Sequence, residues 1–483
     1  MLWAGNWQSI LCSKVDSHPY CSKLNCSAPS RYRLHSKTDY HRTHIAINFC
    51  IVTSKSKNIA DPVHGFITVP GGLLLKLLQT PEMQRLRRIR QLGAGNLVFP
   101  SAEHSRFGHA LGSMALMQDV LRRLKETGTP ISEEEQEAAL AAALLHDVGH
   151  TPYSHALEYK LIHEARHEDI SLAVMQTLDK RFQGRLKLAL GMFQKKGYSR
   201  SFFHDLVASQ LDVDRLDYLR RDSYFTGVIE GHVGTERVIR TMRVHPADGG
   251  CGSRVVIEQK AIYAVENVLI ARRLMYWQVY VHKTVLAGDS VLLGAINRAR
   301  NLLECGNSAA VKGISPTLRY FLATSVGIPD LDNPDVLRHF VALDDTDVQY
   351  SLKQWVSSSD PILADLSKRL LQRDLFRCTF LPDAPSEKQY LAWKRKVADY
   401  LVNSGLSRAA NAEHNATEYY LDRGMSTHSA NQDSETPLEI IDSQGNKREL
   451  SAASDEAAVR ALVQLQQKQY VCYPKEAALF GSH

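Results

Sequence analysis

The stretch Glu137–His155, EAALAAALLHDVGHTPYSH, ends an apolar run on an adjacent imidazole and carboxylate, His146 and Asp147. Between Ala138 and Leu145 only alanine and leucine occur, which is the pattern of a helix buried all round. Polar groups buried at such a helix end must be paired, because an unpaired one is costly. A metal ion would satisfy both at once. So would an ordinary buried hydrogen-bonded pair, the commoner fate of a lone His-Asp dipeptide. Two further groups extend the set: His109 in RFGHALG at a helix start, and Asp214 in DVDRLDYLRRD. Two imidazoles and two carboxylates suit Mn, Fe, Mg, Co, Ni or Zn and are too hard for copper(I) or an iron–sulfur cluster. Such a set leaves room for water and a substrate oxygen, and on a zinc-type ion the pKa of water falls to about 7.

More titratable groups surround this set than packing requires: His150, His155, Glu158 and His167. His155 and Glu158 are three apart and are expected on one helix face. Asp214, Tyr218 and Asp222 are spaced by four and face one way, whereas Arg215, Arg220 and Arg221 point elsewhere. Taken singly, His150 or His155 reads as a cap or surface residue, and the charged stretch as a solvated, salt-bridged helix face.

The elements that must hold these groups are mostly helical. A strand is expected at Phe66–Val69. A helix opens with Thr80 as N-cap and Pro81 at its first position, and is expected to run to Gly93. Further helices are expected from Arg106 to Leu124, Glu133–Asp147, His155–His163, Glu168–Leu178 and Phe202–Asp222. Gly149 is the expected left-handed stop of the buried helix, and Pro152 the start of the next. A strand at Val255–Glu258 precedes one long helix, Ala261–Leu286, and helices with polar links continue from 290 to 405. Residues 411–436 read as a loop. PLEIIDSQGNKREL alternates about a Gly-Asn turn and reads as a hairpin. A helix over Ser454–Gln467 and a strand at Tyr470–Tyr473 close the chain. The fold class is therefore mainly α, with a small α+β appendage.

The 483 residues carry a net charge of +6, but residues 1–58 hold five lysines and three arginines against two aspartates, so the remainder is neutral. A global basic surface for nucleic acid is not supported. The Glu-free 1–58 segment resembles a transit peptide or a poorly ordered extension. Eight cysteines without a CxxC or a regular framework indicate a reducing compartment. A cytoplasmic location is expected, or an organellar one if 1–58 is a true transit peptide. No apolar run approaches the roughly 18 residues of a membrane span.

RFGHALG, HDVGHTPYSH, HEDIS and DVDRLDYLRRD, in this order, resemble the HD-domain phosphohydrolases. They are most similar to the branch holding the animal deoxynucleoside triphosphate triphosphohydrolase (a sterile-alpha-motif plus HD-domain protein) and bacterial dGTP triphosphohydrolases. The resemblance runs from Asp61 to Lys283 and includes DPVHGF, QRLRRIRQLG and YVHK. It implies a helical HD core over 59–245, a helical extension over 246–410 making substrate and oligomer contacts, and a linker with the small appendage over 411–483. It also implies a divalent metal held by His109, His146, Asp147 and Asp214. His167, oriented by Glu158, matches the general-acid pair, although the relative compared has Asp where this chain has Glu158. His150 and His155 match positions that approach the phosphates.

By the same resemblance Arg106, Arg215 and Arg272 grip phosphate, which suits the donor fork of a guanidinium. Gln91, Tyr218 and Asp222 read the sugar, and Tyr280 packs near the nucleoside. Helix–helix packing is an equal alternative for Arg272 and Tyr280. Gln84 and Arg87 match an activating nucleotide site, but Gln79 stands where the animal enzyme has a guanine-reading Asp. The implied activity is metal-dependent hydrolysis of a deoxynucleoside triphosphate to deoxynucleoside and triphosphate. The alternatives are a nucleoside monophosphate phosphomonoesterase, or a silent nucleotide- or nucleic-acid-binding regulator whose only support is residues 1–58. A homodimer or homotetramer is implied, with the helices after Ala261 at the interface.

Overall fold

The computed structural model describes residues 55–194, 198–246, 252–428, 437–454 and 466–480. The basic N-terminal stretch thus lies outside the described residues except for its last four. The described chain opens with a hairpin, β1 (Lys57–Asp61) against β2 (Gly65–Val69), then runs through α1 (Leu73–Leu78), α2 (Pro81–Arg85), α3 (Arg106–Glu126) and α4 (Glu133–Leu145). After an irregular link come α5 (His167–Arg181), α6 (Lys187–Phe193), α7 (Phe202–Val207), α8 (Val213–Thr226) and α9 (Thr235–Thr241). Strands β3 (Met242–Pro246) and β4 (Ser253–Glu258) lead into α10 (Ile262–Met275) and α11 (Lys283–Glu304). The fold is mainly α, as expected.

The buried helix forms as its sequence requires. Ser132 caps α4 by accepting from the Glu135 amide (3.1 Å), and Glu135 returns a carboxylate to the Ser132 amide (2.8 Å). Every residue from Ala138 to Leu145 is buried, and α4 packs on α3, which in turn packs on α8. α8 starts where Asp212 caps it, accepting from the Arg215 amide at 2.7 Å, and stops at left-handed Gly227. These three helix starts and stops set which side chains meet.

Several local expectations give way to tertiary contacts. The helix opened by Pro81 ends at Arg85, not Gly93, because Arg90 forms a bridge with Ser105 and Ile89 is extended. Arg85 itself is drawn inward, donating to the Leu343 carbonyl at 2.6 Å with its guanidinium over Phe340. No α-helix forms over 155–163. Pro152 sits in a turn held from afar, where the Tyr153 amide donates to Asp345 (2.8 Å), and Tyr153, Ser154 and Tyr159 are left-handed. Gly149 is not left-handed either. It is needed because a Cβ there would overlap the His167 carbonyl and the Ser171 amide of α5. The long helix expected after Ala261 breaks in a π-turn at Tyr276–Tyr280, where the Val281 amide reaches the Tyr276 carbonyl, and His282 caps the next helix by accepting from the Thr284 amide.

Beyond α11 the chain adds α12 (Pro316–Ala323), α13 (Pro334–Ala342), α14 (Asp345–Trp355), α15 (Pro361–Leu371), β5 (Arg377–Leu381), α16 (Glu387–Asn403) and α17 (Ala409–Asn415). The stretch expected as a loop from 411 contains the end of α17, a π-turn and β6 (Asp422–His428), while 429–436 lie outside the described residues. The expected hairpin forms as β7 (Glu439–Ile441) against β8 (Lys447–Glu449), with Gly445 left-handed in the turn. After α18 (Leu450–Ala453), most of the expected helix over Ser454–Gln467 falls at 455–465, outside the described residues, and its last two residues begin β9 (Gln466–Tyr473). β9 lies between β5 and β6, and β7 pairs in parallel with β4. Strands from the C-terminal part therefore complete sheets begun much earlier. No single helix among the described residues is long and apolar enough to cross a membrane.

Because the atoms facing Gly149 are backbone and cannot yield, Gly149→Ala is expected to destabilise the fold by about 1–3 kcal/mol. Urea unfolding would read this as a lower midpoint at unchanged slope.

Candidate metal and phosphohydrolase centre

His109 lies in the first turn of α3 and is fully buried, His146 caps the end of α4, and Asp214 sits in the first turn of α8. Their ligand atoms converge. His109 Nε2 is 3.2 Å from His146 Nε2 and 2.9 Å from Asp214 Oδ1, and His146 Nε2 is 3.5 Å from the same oxygen. Asp147 stands at the edge, 3.6 Å from His109 Nε2 and 3.5 Å from His146 Nε2. All four expected ligands are thus brought together.

The tautomers follow from the far side of each ring. His146 Nδ1 faces the Ala143 carbonyl at 2.8 Å, so it must donate. His109 Nδ1 faces Asp217 Oδ2 at 2.7 Å. When neutral, both rings then present lone pairs at Nε2, beside two carboxylates. Four electron-pair donors facing one point repel one another unless a cation lies between them, and outer hydrogen bonds of this kind are what orient histidine ligands. The donor set therefore fits a divalent metal. In the metal-free chain a proton does part of that work: burial opposes charge on His109, but Asp214 and Asp217 lift its pKa to about 10.

Asp217 was not singled out by sequence, yet it is the most heavily used group here. It accepts from His109, from His64 Nε2 (2.6 Å) and from Arg221 through Nε (2.9 Å) and Nη2 (3.0 Å). Its signal was present, since it lies three residues from Asp214 on α8. Gly112 of α3 is the matching element, because a Cβ there would overlap the Asp217 carboxylate.

A second cluster adjoins the first. Glu158 accepts from His167 Nδ1 (2.7 Å), the His167 amide (2.8 Å) and His155 Nδ1 (2.8 Å). The His155–Glu158 pairing anticipated on a helix face is made through an irregular turn instead. Burial opposes ionisation of Glu158, but the two imidazoles hold it far below the carboxylate range. Burial likewise opposes charge on His167, and Glu158 more than compensates, raising its pKa. The His167 ring stacks on His150 at 3.9 Å. His150, buried and near the Arg106 charge, is held well below the usual histidine range and is neutral, with its Nε2 3.2 Å from Asp147.

The remaining candidates sit in three settings. Arg106 is already engaged, its guanidinium on Asp147 and its Nε on Ser154 Oγ (2.9 Å). Arg215 is buried against Asp212 (3.1 Å), and Arg272 is buried on α10. Asp222, Tyr280 and Tyr218 form a connected group, in which Tyr280 donates to Asp222 at 2.9 Å and Tyr218 lies edge-on to Tyr280; the His104 ring meets Asp222 at 2.7 Å, and the backbone amide of buried Gln91 donates to the His104 carbonyl at 3.0 Å. His104 was missed by sequence. Gln84 and Arg87 bond to each other (2.9 Å); Gln84 also donates to the Leu78 carbonyl, and Arg87 covers Phe107.

Residues 106–221 match the HD domain family, and 233–308 match the HD-associated region. A phosphohydrolase of Bacteroides thetaiotaomicron shares 38% identity and superposes with a TM-score of 0.79, covering 87% of this chain and all of that one. The chain belongs to the HD-domain family. Bacillus subtilis YwfO is 36% identical over 330 residues, which is 67% of this HD protein and 72% of YwfO. Human deoxynucleoside triphosphate triphosphohydrolase SAMHD1 is 27% identical over 363 residues, and this chain spans 54% of its length. All four candidate metal ligands fall inside the HD match.

Because Asp217 orients the candidate ligand His109 through its far nitrogen, Asp217→Asn is expected to weaken metal affinity about 10–100-fold. Titration of the metal-free protein with Co²⁺, followed by absorption, measures this, and an unchanged affinity would exclude the orienting role.

Proposed function

We propose that this HD protein hydrolyses deoxynucleoside triphosphates to deoxynucleoside and triphosphate. The observation that carries the hydrolytic part is the pairing of His167 Nδ1 with Glu158, one imidazole stack away from the converging ligands. His109, His146, Asp147 and Asp214 would hold the divalent ion, which when bound supplies positive charge to phosphoryl oxygens and lowers the pKa of water. Mn, Fe, Mg, Co, Ni and Zn all suit these donors.

The chain's own groups account for the rest. Glu158 stabilises the His167 imidazolium and so raises its pKa, which favours the protonated ring that delivers a proton to the leaving 5′-oxygen. Glu158 stays ionised throughout and fixes the ring so that Nε2 is the delivering atom. His150, kept neutral, places no competing charge beside His167. Arg215 and Arg272 supply positive charge to the phosphate chain, and Arg106 acts from its seat on Asp147. Asp222, with Tyr280, Tyr218 and Gln91, forms the polar end that suits a deoxyribose hydroxyl.

The finer parts of the reading draw on the likeness to SAMHD1 relatives, whose names state deoxynucleoside triphosphate triphosphohydrolase activity. Gln84 and Arg87 are the residues we assign to an activating nucleotide, and a homodimer or homotetramer in the cytoplasm is the state we assign to the chain.

A turnover assay with Mn²⁺ or Mg²⁺ and the four deoxynucleoside triphosphates, singly and mixed, tests the reaction by product identity. Deoxynucleoside with intact triphosphate is expected; orthophosphate released from monophosphates alone would overturn it. Asp214→Ala should lose both bound metal and turnover. His167→Ala should keep the metal and lose about 10²–10⁴-fold in kcat.

The pH profile gives an independent check. His167 must be protonated to act, so the rate falls as pH rises through its pKa. Glu158 raises that pKa, so Glu158→Gln should move the alkaline limb of kcat/KM to lower pH, with the loss larger at pH 8 than at pH 6. A limb that stays in place would remove His167 as the proton donor.

A further inference from the structure

A groove of about 1270 Å³ runs between the β1–β2 turn, the outer face of α3, the middle of α8, and α9 with Lys260. Arg122, Arg123, Arg220, Arg237, Arg240 and Lys260 all line it. Three of these arginines have carboxylate neighbours, Asp119, Glu126 and Glu236, in pairs that are largely solvent-exposed and therefore weak. Arg237 donates only to the Lys260 carbonyl, at 2.6 Å. Among the described residues, half-buried Arg220 has no hydrogen bond or ion pair at all. Six basic against three acidic lining residues leave the groove positive even though Lys260 is paired with Glu258 beside it, and two of the guanidinium groups lack any carboxylate.

The complement of two guanidinium groups without carboxylate partners is a chain of phosphates rather than a single carboxylate. The lining contains no Phe, Tyr or Trp, so it lacks the large aromatic faces on which nucleobases stack most strongly. His64, also in the lining, reaches inward: its Nε2 meets Asp217 Oδ1 at 2.6 Å, and Asp217 Oδ2 meets His109 Nδ1 at 2.7 Å. A ligand that moves His64 therefore moves the group orienting a candidate metal ligand.

We propose that this groove binds a linear inorganic oligophosphate and reports its occupancy to His109 through His64 and Asp217. Binding stands on the groove alone. The coupling rests on the metal-centre reading given above, under which triphosphate is also the product, so a feedback role is open to it; free polyphosphate is the other source.

The test uses metal-free full-length protein, so that phosphate cannot chelate a bound ion, in an Arg106→Ala/Arg272→Ala background that weakens the catalytic site. Calorimetric titration with inorganic triphosphate should show one site per chain. Adding Arg220→Glu/Arg237→Glu should lower its affinity at least ten-fold while the thermal midpoint stays near the parent value, with the milder Arg220→Gln giving a smaller loss. Equal affinity in the charge-reversed protein would overturn the site. A deoxynucleoside triphosphate binding far more tightly than inorganic triphosphate would overturn the absence of base recognition. Longer polyphosphate binding more tightly than triphosphate would identify polyphosphate as the source. In ¹⁵N-histidine spectra of the same background, the His64 and His109 resonances should both move on binding; if His64 alone moves, the coupling fails and the site stands. None of these readouts requires turnover, so silence of the enzyme on nucleotides would count against the proposed function only.

Discussion

The carboxylate of Asp217 is completely buried and accepts four hydrogen bonds, from His64, His109 and twice from Arg221. A carboxylate has about four lone-pair sites, so this one is saturated. Leaving such a charge without one partner costs about 3–5 kcal/mol, so each partner is strongly constrained by the others. Arg221 carries the constraint outward to Asp61 at 2.8 Å, fastening the β1–β2 hairpin to α8. His109 carries it inward to the converging ligands. A single buried charge thus ties together the hairpin, two long helices and the donor atoms.

The second organising feature is the contrast between two stacked imidazoles. His150 and His167 lie 3.9 Å apart, yet burial beside the Arg106 charge pushes the pKa of one down while Glu158 raises that of the other. Two groups of the same type in contact are shifted in opposite directions because their outer partners differ. Such splitting is how one site obtains both a proton donor and a neutral neighbour. It depends on the irregular 152–166 link, which brings Glu158 to both His155 and His167.

Close backbone approach makes both arrangements feasible. Gly112 lets the Asp217–Arg221 pair of α8 lie against α3, and Gly149 lets the link after α4 lie against the start of α5. Overpacking at either glycine would separate elements whose side chains must meet within about 3 Å to hydrogen-bond.

The amino-acid sequence determined the helical class, the buried α4 with its His-Asp end, the N-cap at Thr80, the hairpin at 439–449, and the residue types of the candidate centre. These are local matters: propensity, capping and apolar patterning act over a few residues, and ordered motifs expose family membership. It did not reveal Asp217 or His104 as partners, or the early end of α2, because each depends on a group remote in the chain. Arg90 pairs with Ser105, and Asp345 reaches back to Tyr153. Nor could it reveal that Arg106 would be engaged by Asp147, or that strands from the last fifty residues would join sheets begun at Met242 and Arg377. Donor identities are written in one dimension. Which nitrogen carries the proton, and which charge is left open in a groove, are set only when distant elements pack and exclude water.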